Sequence, residues 1–289
     1  MSTTDQLRQI LSRDELIIAP GAYDALTARL VANAGFPVVY ATGAGISNSQ
    51  LALADMGLLT MTEMLEQVRR MVTAIDIPII TDIDTGYGNA LNLYRTVGEF
   101  RRAGVAAVQI EDQVIPKKCG HFTGKQLIPF DEAVLKIKAA VEARGDSTMV
   151  LIARTDAIAV EGFDEAMRRA RAYHEAGADA LFVEAPRTRE QMAAIGRDLP
   201  GVKIANIVEG GQTPIVPAKE LKAMGFRLAI YANMVLRSSV KAIQKSLAHL
   251  RSAGDSTDIL DEMITMDERA RVTQKDKLDA LEKRYVTAA

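Results

Sequence analysis

Cysteine, tryptophan and histidine are scarce in this 289-residue chain, which holds one Cys, no Trp and three His. A lone thiol cannot close an internal disulfide, so the cross-linked scaffolds of oxidising compartments are excluded. So few sulfur and imidazole donors also argue against a zinc site of the Cys/His kind, and His174 and His249 fall inside helical patterns besides. No stretch reaches the roughly 18 uninterrupted apolar residues of a membrane span; even the apolar run before Pro78 is broken by Asp76. Charge of one sign is lacking too, since 35 basic residues nearly cancel 37 acidic ones to leave −2. That balance gives no general attraction to nucleic acid or to an anionic membrane. The opening Met1-Ser2-Thr3-Thr4-Asp5 has neither a basic stretch nor an apolar one, so the sequence reads as a soluble cytoplasmic protein. Without a Pro- or Ser-rich linker or a low-complexity segment, residues 1–289 read as one domain.

Hydrophobic residues make up 48% of the chain, enough for a large core. Short Val/Ile-rich runs alternate with longer amphipathic stretches eight times, the pattern of repeated βα units around a parallel sheet. The spacing predicts strands at 16–19, 38–42, 78–84, 106–112, 150–156, 180–185, 203–207 and 227–232. Helices are predicted at 24–34, 62–74, 90–103, 131–143, 163–176, 189–198, 218–224 and 236–253. Several stop at glycine, as at Gly35, Gly104, Gly177 and Gly225, where a left-handed residue closes a helix. Eight units fit a (β/α)8 barrel of the TIM type better than an open sheet, and no Gly-x-Gly-x-x-Gly follows the first strand. Beyond Gly254 come two more helical patterns, 257–264 and 267–285. A closed barrel has no place for them, so this C-terminal arm, about 255–289, either folds back onto its own barrel or reaches a neighbouring subunit.

In such barrels the chemistry sits at the C-terminal strand ends. Polar residues gather there: Tyr23 and Asp24; Tyr40, Thr42 and Gly43; Thr81, Asp82 and Asp84; Glu111 and Asp112; Arg154, Thr155 and Asp156; Glu184; Asn206 and Glu209; Asn233. Helix capping is a sufficient reading of Asp112, Asp156 and Asn233, but it strains to cover all eight ends. Asp82 and Asp84, two apart on a strand, are expected on one face. Adjacent carboxylates repel unless a cation lies between them. With Glu111 and with Asp55 from the long loop after the second strand, they make an oxygen-only site suited to Mg²⁺ or Mn²⁺.

The connection at 113–129 exceeds the about 12 to 15 residues beyond which a structureless loop is usually functional, and it reads as a lid. Pro116, Gly120, Gly124 and Pro129 punctuate it, and Lys117, Lys118, Cys119, His121 and Lys125 lie between them. Flanking cations lower a thiol pKa and suit Cys119 to proton transfer.

Lys117-Lys118-Cys119-Gly120-His121, Asp82-Ile83-Asp84-Thr85-Gly86-Tyr87-Gly88 and Ala153-Arg154-Thr155-Asp156-Ala157 closely resemble motifs of the isocitrate lyase and phosphoenolpyruvate mutase superfamily. The resemblance runs from Pro20-Gly21-Ala22-Tyr23-Asp24 through Asn206 to the eighth strand, and the loop pattern is that of the carbon–carbon lyase branch. It implies a (β/α)8 barrel whose last helix is exchanged between subunits, usually in a homotetramer. It implies Asp82 and Asp84 as Mg²⁺ carboxylates, with Asp55 and Glu111 holding the ion's waters. Tyr40, Thr42, Gly43 and Ala44 would cradle the carboxylate of a 2-oxo acid, Arg154 would grip that acid and its developing alkoxide, and Glu184 and Asn206 would line the far side. Lys117, Cys119 and His121 would form the loop's catalytic cluster, acting with Arg154 and Tyr40.

The activity so implied is Mg-dependent cleavage of a 2-hydroxy di- or tricarboxylate, of the 2-methylisocitrate or 2,3-dimethylmalate type, to pyruvate or a related oxo acid plus a carboxylate. Two segments depart from the methylisocitrate-cleaving pattern. Asn206-Ile207-Val208-Glu209-Gly210-Gly211-Gln212-Thr213-Pro214 is closer to relatives acting on smaller malates or oxaloacetate, and Tyr231-Ala232-Asn233-Met234-Val235-Leu236-Arg237 is closer to phosphonate-processing mutases. The alternatives are therefore a carboxyphosphonoenolpyruvate-type phosphonomutase and an oxaloacetate decarboxylase or hydrolase. A non-catalytic dicarboxylate-binding barrel would need a broken metal site, and Asp82, Asp84, Glu111 and Arg154 are all in place.

Overall fold

A computed structural model describes residues 1–120 and 122–286. The chain divides into two compact units, Met1–Val235 and Leu236–Ala289.

In the first unit eight parallel strands close into a barrel in sequence order: β1 (Ile17–Ala22), β2 (Val39–Ala41), β3 (Ile79–Asp82), β4 (Ala107–Glu111), β5 (Val150–Thr155), β6 (Ala180–Val183), β7 (Val202–Asn206) and β8 (Leu228–Tyr231). Closure joins β1 to β8, with Ile17 opposite Leu228 and Pro20 opposite Tyr231. Gly21 makes this seam possible, because a Cβ there would stand 2.1 Å from the Ala232 carbonyl oxygen. Around the strands run α1 (Thr3–Ser12), α2 (Ala25–Asn33), α3 (Gly43–Leu51), α4 (Met61–Ala74), α5 (Ala90–Arg102), α6 (Phe130–Arg144), α7 (Phe163–Glu175), α8 (Arg189–Asp198) and α9 (Ala218–Met224).

Side chains alternate across each strand, and this period of two sorts the core into two layers. Odd-numbered β5 residues Leu151 and Ala153 pack outward with the helices, in a cluster that also holds Val68, Phe100, Met149 and Tyr173. Even-numbered Val150 and Ile152 point inward with Tyr40, Ile80, Phe182, Ile204 and Ile230. Extending the inward series one step past this apolar layer brings the chain to Thr42, Asp82, Arg154, Glu184 and Asn206, and on β4 to Gln109 and, a step further, Glu111. The alternation that fills the barrel thus delivers its polar mouth.

Three local features of this unit differ from the sequence reading. The N-terminal segment, where the spacing predicts no element, forms α1, capped by the Ser2 side chain, which accepts from the Asp5 N–H. Its Leu7, Ile10 and Leu11 share one helical face and join the inner barrel cluster. Part of the loop expected after β2 is α3, begun by Thr42 Oγ1 accepting from Gly45 N–H at 3.3 Å. Glycine and serine in Gly43-Ala44-Gly45-Ile46-Ser47 are weak helix formers, so periodicity gave no sign of it. And β3 ends at Asp82, so Asp84 lies beyond the strand with φ +49°.

The second unit carries most of α10 (Met234–Ala253), a 3-10 turn (Thr257–Glu262), α11 (Met266–Val272) and α12 (Lys275–Tyr285). The single helix expected at 267–285 is broken at Gln274, which takes a left-handed φ of +56°. On α10 Val240, Ile243, Leu247 and Leu250 are exposed and recur at alternating steps of three and four, one continuous apolar stripe. No helix among the described residues is long and apolar enough to cross a membrane.

Candidate active site

Tyr40, Thr42, Ala44, Asp55, Asp82, Cys119, Gly120, Arg154, Phe182, Glu184, Asn206, Ala232 and Asn233 line one cavity at the barrel mouth. Gly43 stands beside it: a Cβ there would lie 2.8 Å from Asp82 Oδ2 and 3.5 Å from Asp84 Oδ1, so its bareness lets both carboxylates approach the start of α3. Asp82 and Asp84 do converge, but not as alternate residues of one strand. The chain turns after Asp82, and the Asp84 N–H donates back to Asp82 Oδ1 at 3.0 Å. Buried Lys136 of α6 holds this turn from behind, donating to the Thr85 and Gly88 carbonyls.

Lys117 reaches into the acidic cluster from the 113–129 loop, its ammonium 2.6 Å from Asp55 Oδ1 and 2.9 Å from Asp84 Oδ1. Burial alone would lower its pKa, but Asp84, Asp55, Glu111 and Asp82 outweigh burial and hold it well above the usual lysine value. The carboxylates shift the opposite way. Burial, then the Asp84 charge, raises Asp82 to about 6; burial also raises Asp84 and pushes Glu111 well up. Tyr40 is likewise pushed far up by burial and by Asp82. Its hydroxyl donates to Gln109 Oε1 at 2.8 Å, and Gln109 Nε2 donates to Asp82 Oδ1 at 3.3 Å.

Arg154 is the hub of the opposite wall. Its guanidinium grips Asp156 with two bonds, Nε to Oδ2 at 2.8 Å and Nη2 to Oδ1 at 3.0 Å. It stands 3.3 Å from Glu111 and 3.5 Å from Glu184. Burial would raise Asp156, yet Arg154 and then Lys125 bring it down to about 2. Asn206 Nδ2 donates to Glu184 Oε2 at 3.3 Å. Glu111 lies under Arg154, outside the cavity lining.

The residues present suit a hard divalent cation. Four buried or nearly buried carboxylates, Asp55, Asp82, Asp84 and Glu111, face two cations among the described residues, Lys117 and Arg154, and Arg154 is shared with Asp156 and Glu184. Both Glu111 carboxylate oxygens are buried without a hydrogen-bond partner among the described residues. All these donors are oxygens. As the side chains stand, Lys117 holds the gap between Asp55 and Asp84, and no three His, Cys, Asp or Glu among the described residues form a ready-made ligand set.

From the 113–129 loop, Cys119 and Gly120 line the mouth. Cys119 N–H donates to the Asp55 carbonyl at 3.1 Å, and a Cβ on Gly120 would meet Arg154 Nη2 at 2.6 Å and the Glu184 carboxyl carbon at 2.8 Å. The thiol-bearing segment thus lies directly on the arginine. His121 lies outside the described residues.

Not every polar strand end belongs to the site. Asp24 caps α2, the Tyr23 carbonyl accepts from Gln67, and Thr155 Oγ1 accepts from the Ala157 N–H. Asp156 stands at the N-cap position of the 3-10 turn Ala157–Ala159, but its side chain makes no cap bond. Asp112 accepts from the Asp156 N–H at 2.9 Å and from Tyr173 at 2.7 Å, supporting the Arg154 clamp from below. Gln109 and Phe182 escaped the sequence reading, which names Lys125 only as one cation of the 113–129 loop. Strand alternation could have found the first two, since Gln109 lies two residues before Glu111 and Phe182 two before Glu184. Nothing local shows that Lys125 meets Asp156.

A parallel barrel whose mouth gathers buried carboxylates, a clamped arginine and a cysteine-bearing loop is an enzyme scaffold. Residues 7–251 match the family described as phosphoenolpyruvate phosphomutase, and the chain belongs to that family. It is 43% identical to 2,3-dimethylmalate lyase of Eubacterium barkeri, over 99% of both chains. It is 41% identical to 2-methylisocitrate lyase of Aeropyrum pernix, over 91% of this chain and 84% of that one. It is 42% identical to the chloroplastic carboxyvinyl-carboxyphosphonate phosphorylmutase of Arabidopsis thaliana, over 97% and 84%. Among solved structures, a 2,3-dimethylmalate lyase described as a PEP mutase/isocitrate lyase superfamily member superposes with a TM-score of 0.94 at 38% identity, covering 100% of this chain and 97% of that one. A phosphonopyruvate hydrolase in complex with oxalate and Mg²⁺ superposes with a TM-score of 0.90 at 32% identity, covering 99% and 100%.

Proposed function

We propose that this protein is a Mg²⁺- or Mn²⁺-dependent carbon–carbon lyase, cleaving a small 2-hydroxy di- or tricarboxylate of the 2,3-dimethylmalate or 2-methylisocitrate type into pyruvate, or a close relative, and a carboxylate. The observation that carries this reading is the placement of Cys119 in the same cavity as Arg154, Thr42 and Asp82, a proton donor opposite an anchor for an oxo acid. Asp82 and Asp84 would hold the ion and Asp55 and Glu111 its waters; bound there, it would supply positive charge to the forming carbonyl oxygen. Thr42 and the N-terminus of α3, at Gly43 and Ala44, offer donors to the oxo-acid carboxylate. Arg154 faces the oxygen where negative charge develops, and Glu184 and Asn206 bound the far side.

As the bond between the hydroxyl-bearing carbon and its neighbour breaks, the electron pair passes to the carbon alpha to the second carboxylate, and the Cys119 thiol delivers a proton there. The substrate hydroxyl must lose its own proton. Tyr40 is unsuited to take it, being held in its protonated form with its hydroxyl committed to Gln109. A cavity-lining carboxylate that does not hold the ion directly, Asp55 or Glu184, would take it. Lys117, Cys119 and His121 form the working part of a lid that excludes water while the carbanion exists. A phosphonomutase has no protonation step, so a thiol in the cavity favours the lyase. We further read residues 1–289 as one barrel domain with a helical arm, working in the cytoplasm as a homotetramer, with the exposed α10 stripe covered by a second copy.

The test is a screen of purified protein with Mg²⁺ against 2-methylisocitrate, 2,3-dimethylmalate, oxaloacetate and phosphonopyruvate. Pyruvate with equimolar succinate from the first, or with equimolar propionate from the second, is the expected result. Turnover confined to oxaloacetate or phosphonopyruvate would overturn the assignment.

A further inference from the structure

Two ammonium groups pin the 113–129 loop to the barrel, and they differ in what they hold. Lys117 ties the loop to Asp55 and Asp84, the carboxylates a divalent cation would compete for. Lys125 ties it elsewhere. Its side chain is 1% exposed, and its ammonium donates to the Gly120 carbonyl at 2.5 Å and to Asp156 Oδ1 at 2.7 Å. Asp156 is the carboxylate that grips Arg154 in two bonds, and Gly120 follows Cys119 directly. One buried cation therefore joins the backbone carrying the thiol to the carboxylate orienting the arginine.

We propose that Lys125 is a positioning residue for the reaction: it sets the Cys119–Gly120 segment over Arg154 and keeps it there when a cation draws Asp84 and Asp55 away from Lys117. The proposal rests on the lyase reading for its consequence in turnover, but not for its geometry. Lys125 is five residues from the carbonyl it holds, so the bond closes a short ring of loop, and Lys118 Nζ donating to the Gly124 carbonyl at 2.9 Å tightens the same ring. Asp156 is anchored in turn by its N–H donating to Asp112. The thiol's position relative to the guanidinium thus depends on a chain of charge-assisted bonds, each stronger than a neutral one.

The chain has a single cysteine, so iodoacetamide labelling reads that position without any substrate. Lys125→Met removes both bonds while filling the space, and labelling of Cys119 should accelerate by roughly tenfold or more, as expected from the loss of a charge-assisted hydrogen bond. Lys125→Arg, which keeps the charge, should restore most of the protection. On a hydroxy-acid substrate, kcat of the Met variant should fall by about tenfold or more while KM moves by less than about threefold, because Thr42 and Arg154 still hold the oxo-acid end. Should the Met variant fail to fold, Lys125→Gln carries the same labelling comparison. Labelling within twofold of the wild type in the folded Met or Gln variant overturns the proposal. If the wild-type enzyme cleaves none of the hydroxy acids, the lyase reading falls, and the labelling still decides the role of Lys125.

Discussion

Replacing Asp156 by Asn tests the electrostatic account of the arginine wall. The carboxylate is fully buried and accepts three charge-assisted bonds, from Arg154 Nε at 2.8 Å, Arg154 Nη2 at 3.0 Å and Lys125 Nζ at 2.7 Å. An amide of the same size must turn its NH₂ toward one of those donors, which strands a buried cation. Removing one partner from a buried ion pair costs about 3 to 5 kcal/mol, and that is the loss expected at pH 7. Arg154 retains Glu111 and Glu184 as neighbours, which argues for the lower end. The pH dependence follows from the depressed pKa. Asp156 titrates at about 2 in the folded protein, below the ordinary aspartate value of about 3.9. Its contribution is fully present above about pH 4 and is lost as pH falls from there toward about 2, an amount of roughly 2 to 3 kcal/mol. The gap between wild type and Asp156→Asn should therefore narrow by that amount on acidification. Urea unfolding followed by circular dichroism, at pH 7 and in steps from about pH 5 downward, measures it. A gap that stays constant with pH, or one under about 1 kcal/mol at pH 7, the scale of an exposed pair, would refute the reasoning.

Other expectations address the site and the assembly. Cys119→Ala should lower kcat by about 10² to 10⁴, the scale of a positioned acid, with little change in KM, and a variant turning over its best substrate at the wild-type rate would remove the thiol from the mechanism. Asp82→Asn should abolish Mn²⁺ binding, read by electron paramagnetic resonance of the free ion, while leaving the melting temperature unchanged or higher, because burying crowded carboxylates costs stability. Retained Mn²⁺ binding would move the cation elsewhere. Light scattering should give four times the chain mass for the wild type, and Leu247→Asp, in the apolar stripe of α10, should reduce it. A wild-type monomer at micromolar concentration would leave the stripe without its proposed cover.

Much of this was legible in the sequence because its signals are short-ranged. Eight Val/Ile-rich runs separated by amphipathic stretches specify parallel βα units, and eight such units close. Alternation along 150–156 already places Arg154 on the side of Val150 and Ile152, and the oxygen-rich strand ends announce a hard cation or an anionic ligand before any contact is known. What misled was also local. A period of two places Asp82 and Asp84 on one strand face, yet they meet through a left-handed turn that such a pattern cannot encode. Glycine and serine hid α3, and Gln274 broke a charged helical pattern in the arm without a glycine or proline to mark it.

The choice of partners was decided by the tertiary structure alone. Lys117 and Asp55 are 62 residues apart, Lys125 and Asp156 are 31 apart, and Tyr40 and Gln109 are 69 apart. The loop holds Lys117, Lys118 and Lys125, and composition treats them alike. Closure of the barrel buries two of them against carboxylates and leaves the third half-buried, on the Gly124 carbonyl. Burial then decides their effects, since a charge removed from water is strongly affected only by the few groups it touches. Residue types and their periods therefore determine which chemistry the chain can perform, whereas which lysine meets Asp55 and Asp84 and which holds the arginine clamp depends on distances that exist only once the barrel is closed.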